Sequence, residues 1–342
     1  MRDLHPSEAP PVAAEVEAAP IQLDMEDLEA ILALPRRNKA PGPSGWTYEH
    51  IQQLCHTPEG KTACLALLNA LLAGSLPGYA ELLDSDGLPL LKPNGGIRPI
   101  AIGETWLRLA CLCAVHKLCD LGPSFAPLQN GVGVPGGAEC IAHMVRTALD
   151  RDPEALLVSL DLQNAFNSVS WQAIFNAVAE RAPSLMPFLK WVYGGTSRIF
   201  VRGAPDDAEP ILCTSGVKQG DPLGPLLFAL ALQGPLEAVA QDHPAARLVA
   251  YFDDINIVGF NQPAKPSKPS RLKFAPLASR QSQQKAPSTD TTRTPPRSQL
   301  RNSAFGTVPK ASLLPVPQLA TTHSSQTSST RKPNTSAPSS SA

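Results

Sequence analysis

Periodic apolar residues stop near residue 261 of this sequence, and that break limits what can fold. From about residue 262 onward Pro, Ser, Thr, Gln and Lys dominate, as in QPAKPSKPS and TTHSSQTSSTRKPNTSAPSSSA. Such a segment buries too little apolar surface to offset the entropy of ordering its backbone, so residues 262–342 are expected to be disordered. The first 20 residues, with EAPPVAAEVEAAP, read as a loose Pro/Ala arm. What remains is a body of roughly 240 residues, large enough to bury most of its apolar surface without disulfide or metal staples.

The formal net charge is -1, but it is unevenly spread. The tail holds about a dozen Lys and Arg against one acid, Asp290, so the body is acidic. A basic tail suits polyanionic partners; it is equally a composition for a solvated segment that binds nothing. The seven cysteines are scattered, and there is neither a signal peptide nor a run of 18 apolar residues. This points to an intracellular protein with reduced thiols and no membrane association. The one cysteine cluster, CLCAVHKLC, contains Cys111, Cys113, His116 and Cys119. On a helix Cys111 and Cys113 point apart, so the segment reads as a buried helix using Cys as a small hydrophobe rather than as a zinc site.

Local patterns place the elements. DMEDLEAILAL is a short helix capped by Asp24, with Leu28, Ile31 and Leu32 on one face. NKAPGPSGW is a stiff loop, and helical spacing resumes in YEHIQQLC and TACLALLNALLAG. LPLLKPNGGIRPIAIG reads as two strands around a Pro-Asn-Gly-Gly turn, with Lys92 before the turn and Arg98 after it. ALLVSLDL is a continuous apolar run, as expected of a strand buried on both faces, and it ends at Asp161. SVSWQAIFNAVAE opens a helix at Ser168 or Ser170, with Ile174, Phe175 and Val178 inward. RIFVRG and EPILCTSG form a β pair, KQGDPLGPLLFALALQGPLEAVA turns into a long apolar helix, and RLVAYFDDINIVG is a final hairpin. That order gives an α+β fold, with helices on one face of a mainly antiparallel sheet.

Asp253 and Asp254 sit side by side at the tip of that hairpin, in AYFDDINIVG. An isolated Asp-Asp pair is ordinarily a solvated turn. If the strand ending at Asp161 is the hairpin's neighbour, three carboxylates converge at one sheet edge, a device for holding two Mg²⁺ ions (or Mn²⁺) about 3.5–4 Å apart. A triphosphate held there needs cationic partners, and Lys92 and Arg98 flank a turn that could fold over phosphates.

Five segments, in order, carry a family resemblance. NKAPGPSGW, LLKPNGGIRPIAIGETWLRL, VSLDLQNAFNSV, TSGVKQGDPLGPLLF and AYFDDINIVG resemble the reverse transcriptase domain of non-LTR (LINE-like) retrotransposons, over residues ~20–260. The resemblance implies an RNA-directed DNA polymerase with a right-hand architecture: fingers over residues 21–150 and a mainly antiparallel palm over 151–261. It implies that Asp161, Asp253 and Asp254 are catalytic and hold the two metal ions, and that Lys92 and Arg98 hold the incoming phosphates. Phe166 would sit under the sugar and exclude a 2′-hydroxyl. Gln219 and Gly220 would line the nascent base pair, although Asp221 and Pro222 also fit a plain helix start. The implied partners are an RNA template, a DNA primer and deoxynucleoside triphosphates, with nuclear localisation favoured by the family alone. Phe252, before the first Asp of the hairpin, is bulkier than the residue often found there. After Phe260 no further palm strand or thumb is legible, so a truncated or decayed copy with low or no activity is expected.

Two other readings compete. One is a non-catalytic nucleic-acid-binding remnant that works through the basic tail. The other is a dinucleotide-binding oxidoreductase, because Gly131, Gly133 and Gly136 match GxGxxG and a helix and an acid-terminated strand follow. The strand that should precede those glycines is poor, since SFAPLQN is short and holds a Pro.

Overall fold

The computed structural model describes residues 1–259 apart from 35–37, 78–79, 153 and 206, together with 311–312. The chain opens into α1 (Met25–Ala33), where the Asp24 carboxylate accepts the Asp27 N–H at 2.9 Å and Asp27 returns the bond to the Asp24 N–H. This box satisfies two donors that a helix start leaves unpaired. Helices α2 (Tyr48–Leu54) and α3 (Pro58–Leu72) start at capping Thr47 and Thr57. Strands β1 (Ser85–Leu91) and β2 (Ile97–Gly103) pair antiparallel around the Pro-Asn-Gly-Gly turn, which the Lys92 N–H closes onto the Gly96 carbonyl at 2.7 Å.

Helix α4 (Thr105–Lys117) buries Cys111 and Cys113 but leaves His116 facing Asp27 at 3.6 Å, so the cysteines serve as core residues. The short α5 (Gly122–Phe125) and the longer α6 (Gly137–Arg151) lead into β3 (Leu156–Asp161). Then come α7 (Ala165–Ser168), α8 (Trp171–Arg181), α9 (Met186–Tyr193), β4 (Ser197–Val201) and β5 (Ile211–Cys213). Helix α10 (Gly224–Asp242) precedes the hairpin β6 (Arg247–Tyr251) and β7 (Asp254–Gly259), and β8 (Ala311–Ser312) is a two-residue strand. Ile174, Phe175 and Val178 of α8 are buried as their spacing predicts.

The mixed α+β class is as expected, but the strands form two sheets. One has the order β2-β1-β4-β5, with β1 and β4 parallel and the other neighbours antiparallel. The other is antiparallel throughout, in the order β6-β7-β3-β8. In this second sheet Leu160, Ala250, Leu248 and Ile255 face the main core, which also holds α8 and α10. The helices are not confined to that face. Helix α6 lies against the opposite one, with Ala138 and Ile141 beside Ser159, Asp161 and Tyr251.

For the same reason β3 is not buried on both faces: its residues are half-buried, and Leu156 and Asp161 at its ends are exposed. A polar row on the α6 side replaces the second apolar layer that a continuous apolar run suggested. The first 20 residues are also not a loose arm over their whole length. The Glu8 carboxylate accepts the Trp171 N–H at the start of α8, and Val12 exchanges two hydrogen bonds with the Gln172 side chain. Those are polar anchors, which an apolar periodicity search does not detect.

The expected disorder of residues 262–342, any nucleic-acid contact of that basic segment and the question of further palm or thumb segments lie outside the described residues, save for Ala311–Ser312. Among the described residues no helix is long and apolar enough to cross a membrane. Phe228 of α10 is fully buried and stacks on Phe166, so Phe228→Ala should destabilise the fold by about 3–5 kcal/mol, read from denaturant unfolding.

Candidate active site

Strand pairing builds the carboxylate edge. Leu157 stands opposite Val258, Ser159 opposite Asn256, and Asp161 opposite Asp254. Tyr251 lies opposite Asp254 on its other side, so Asp161, Asp254 and Tyr251 form one row across three strands. Side chains directly opposite each other in an antiparallel pair share a face, and two carboxylates so placed repel. The neighbouring row is neutral, with Ser159 donating its hydroxyl to the Asn256 side-chain Oδ1 at 2.7 Å.

The hairpin turn holds just two residues, Phe252 and Asp253, because Tyr251 already pairs with Asp254. Asp253 is half-buried there. Burial raises its carboxyl above the ordinary value, its own backbone pulls it down, and the charges of Asp254 and Asp161 raise it again. Lys92 acts on the same carboxyl in the lowering direction, so the tip of the β1–β2 hairpin lies within electrostatic reach of the aspartates. Arg98 pairs with Leu90, and the alternation of the strands puts Arg98 on the same exposed face as Lys92. The two cations are thus on one side of the hairpin, and Lys92 is the one the structure ties to the carboxylates.

Among the described residues no three His, Cys, Asp or Glu side chains are drawn together closely enough to enclose a metal ion. What the chain provides is an open edge with a facing carboxylate pair and a third, strained toward protonation, beside it. That donor set fits a hard cation that keeps several of its waters and takes one or two carboxylates from protein. A groove of about 500 Å³ runs from this edge between α6 and the sheet, past Ser159 and Asn256.

The segment after Asp161 turns sharply. Asn164 adopts φ +55 and is held by its own side chain, which donates to the Leu4 carbonyl and to the Ser168 hydroxyl. Phe166 follows on α7, half-buried, with its ring 4.7 Å from Phe228 and 6.1 Å from Phe252. The Phe166 carbonyl accepts the Val217 N–H at 2.7 Å, which joins this turn to the loop carrying Gln219 and Gly220. Gln219 and Gly220 dock on β2: the Gln219 carbonyl accepts the Ala101 N–H at 2.8 Å. Gly220 has φ +124, and a Cβ there would lie 2.5 Å from the Ala101 carbonyl oxygen, so the contact requires glycine.

Two neighbours brace this loop: Lys218, which its sequence context does not mark, and Asp221, whose sequence context reads as a plain helix start. Lys218 donates to the Leu83 carbonyl at 2.6 Å and to the Ser85 hydroxyl at 3.0 Å, and burial lowers its pKa. Asp221 accepts the Tyr193 hydroxyl at 2.8 Å and the Leu223 N–H at 2.9 Å. Asp221 thus caps a turn ahead of α10, whose first residue is Gly224, rather than the helix itself. Nothing in KQGDP distinguishes a brace from a solvated base; only the arrival of β1 from far upstream does so.

The glycines of the GxGxxG match follow no strand of a parallel sheet, and β3 beyond them pairs antiparallel. That removes the topology a dinucleotide site needs.

The family described as reverse transcriptase (RNA-dependent DNA polymerase) matches residues 90–265. The chain is 30% identical over 248 residues to the retrotransposable element SLACS 132 kDa protein of Trypanosoma brucei gambiense, covering 69% of this chain and 20% of that protein. It is 26% identical over 236 residues to the retrovirus-related Pol polyprotein from type-2 retrotransposable element R2DM of Drosophila melanogaster, covering 64% and 22%. The transposon TX1 uncharacterized 149 kDa protein of Xenopus laevis is 26% identical over 261 residues, covering 70% and 19%. The chain therefore spans about a fifth of the length of these curated relatives.

Because the native fold binds the Asp253 proton more tightly than the unfolded chain does, stability falls as pH rises from the ordinary carboxylate value through the raised one. Asp253→Asn should raise the thermal midpoint at neutral pH in chelator. The gain should vanish near pH 3, below the ordinary Asp value of about 3.9, and shrink in millimolar Mg²⁺; unfolding curves across pH check all three.

Proposed function

The chain belongs to the reverse transcriptase (RNA-dependent DNA polymerase) family, in company with non-LTR retrotransposon proteins, and from that premise we propose that it extends a primer with deoxynucleotides along an RNA template. In this reading the β3–β7 sheet is the palm and the β1–β2 hairpin belongs to the fingers. The observation that carries it is the facing of Asp161 and Asp254 across β3 and β7, with Asp253 beside them and Lys92 in reach.

Asp161 and Asp253 would be the principal ligands for two Mg²⁺ ions, with Asp254 a third, weaker acid. When bound, such ions lower the pKa of an attacking hydroxyl and neutralise charge on the leaving pyrophosphate. The remaining work belongs to the chain. Lys92 and Arg98 hold the triphosphate from the fingers side, where cationic donors replace lost hydration. Backbone amides of residues 162–165 cradle the phosphates at the turn after β3. Phe166 lies under the sugar, and its ring leaves no room for a 2′-hydroxyl. Gln219 and Gly220 line the new base pair, with Gly220 letting the backbone approach closely. Manganese suits the same oxygen donors.

A primer-extension assay on an RNA template tests this. Asp161→Asn and Asp253→Asn should each lower the rate on the order of 10³-fold or more, equal to several kcal/mol of barrier. Phe166→Ala should admit ribonucleotides while keeping much of the deoxynucleotide rate. Extension that survives both aspartate changes would exclude the assignment.

A further inference from the structure

The glycine-rich stretch before α6 has a use in this fold that its spacing does not announce. It lies along the outer edge of β6: the Ala250 N–H donates to the Leu128 carbonyl at 2.7 Å, and the Asn130 N–H donates to the Ala250 carbonyl at 2.8 Å. The next residue, Gly131, faces the ring of Phe252. A Cβ placed on Gly131 would stand 2.8 Å from Cε2 and 2.9 Å from Cδ2 of that ring, closer than carbon atoms pack.

Phe252 has little freedom to yield. It occupies the first position of the two-residue turn with φ +54, a region that bulky L-residues rarely adopt and that persists only where neighbours enforce it. Its ring is 6.1 Å from Phe166, and Phe166 in turn stacks on the fully buried Phe228 at 4.7 Å and 19°. Gly131, Phe252, Phe166 and Phe228 therefore form one continuous row of contacts. The core fixes one end of the row and the backbone of residues 128–131 fixes the other.

We propose that Gly131 and Phe252 are specificity-determining positioning residues: the Gly131 backbone stops the Phe252 ring, which holds Phe166 at the height where it excludes a ribose 2′-hydroxyl. The proposal rests on the reading in which Phe166 underlies the sugar. Neither residue touches the reacting atoms; both act through Phe166. Removing the Phe252 ring lets Phe166 tilt away from the sugar. A methyl group on Gly131 drives Phe252 toward Phe166 and spoils the pocket for either sugar.

The test is a double-mutant cycle on the full chain. It uses Phe252→Ala, Gly131→Ala and the double variant, and compares kcat/KM for deoxynucleotides and ribonucleotides on an RNA template. Phe252→Ala should lower the deoxy-over-ribo ratio on the order of tenfold. Gly131→Ala should raise KM for deoxynucleotides and lower the thermal midpoint. The double variant should match Phe252→Ala in both readouts, because the clash is gone. An unchanged sugar ratio in Phe252→Ala, or a Gly131→Ala defect that persists in full in the Phe252→Ala background, overturns the proposal. If the unmodified chain adds no nucleotide, the polymerase reading fails and the specificity claim fails with it. The thermal midpoints of the same four proteins then still report the Gly131–Phe252 contact by itself.

Discussion

Everything at this site depends on the register between β3 and β7, which sets Asp161 directly opposite Asp254. A slip of one residue would carry either carboxylate to the core side of the sheet. The pairing of like charges works against that register, so something else must enforce it. The enforcing term is on the opposite face, where Leu160, Ile255, Ala250 and Leu248 join the main core. Apolar burial at roughly 25 cal/mol per Å² over several side chains exceeds the repulsion between two partly solvated carboxylates. The Ser159–Asn256 hydrogen bond, one row down, locks the same alignment from the polar side.

The second constraint is the loop from Val217 to Asp221, which fastens four parts of the fold to one another. Val217 bonds the turn after β3, Lys218 bonds the base of β1, Gln219 bonds β2, and Asp221 bonds Tyr193 of α9. The two sheets share no strand, and this loop ties the β1–β2 hairpin to the turn that follows β3. That explains how Lys92, an exposed residue at a hairpin tip, comes within electrostatic reach of Asp253.

Much of this was legible from local pattern. The Asp24 cap, the Pro-Asn-Gly-Gly hairpin and the inward face of α8 follow from chemistry within a few residues, and the structure has them where spacing put them. The Asp-Asp hairpin is there too, but it turns one residue earlier than the spacing suggests, on Phe252 and Asp253, so that Asp254 is the first residue of β7. What local pattern could not supply was partnership. The pairing of β1 with β4 joins residues more than 100 positions apart, and RIFVRG carries no mark of which strand it will meet. The half-exposure of β3 is not legible in its sequence, because an apolar run does not reveal whether its second face will meet another layer or a groove. The docking of Glu8 on the start of α8 went unseen because it depends on one carboxylate and one backbone donor.

The glycine motif shows why spacing alone misleads. Glycine is required wherever a backbone must come close to something, and a regular expression does not say to what. In a dinucleotide site the close neighbour is a pyrophosphate; here, at Gly131, it is an aromatic ring on a turn with positive φ. The same glycine permits a bulky side chain to occupy a position where a hairpin would ordinarily place Gly or Asn. The strain of that turn is held by the edge pairing of residues 128–130 with Ala250, one residue before Tyr251. Phe252 and the glycine stretch are therefore a single structural feature split across the chain. The unusual bulk before the first Asp of the hairpin is accommodated because Gly131 leaves the space it fills.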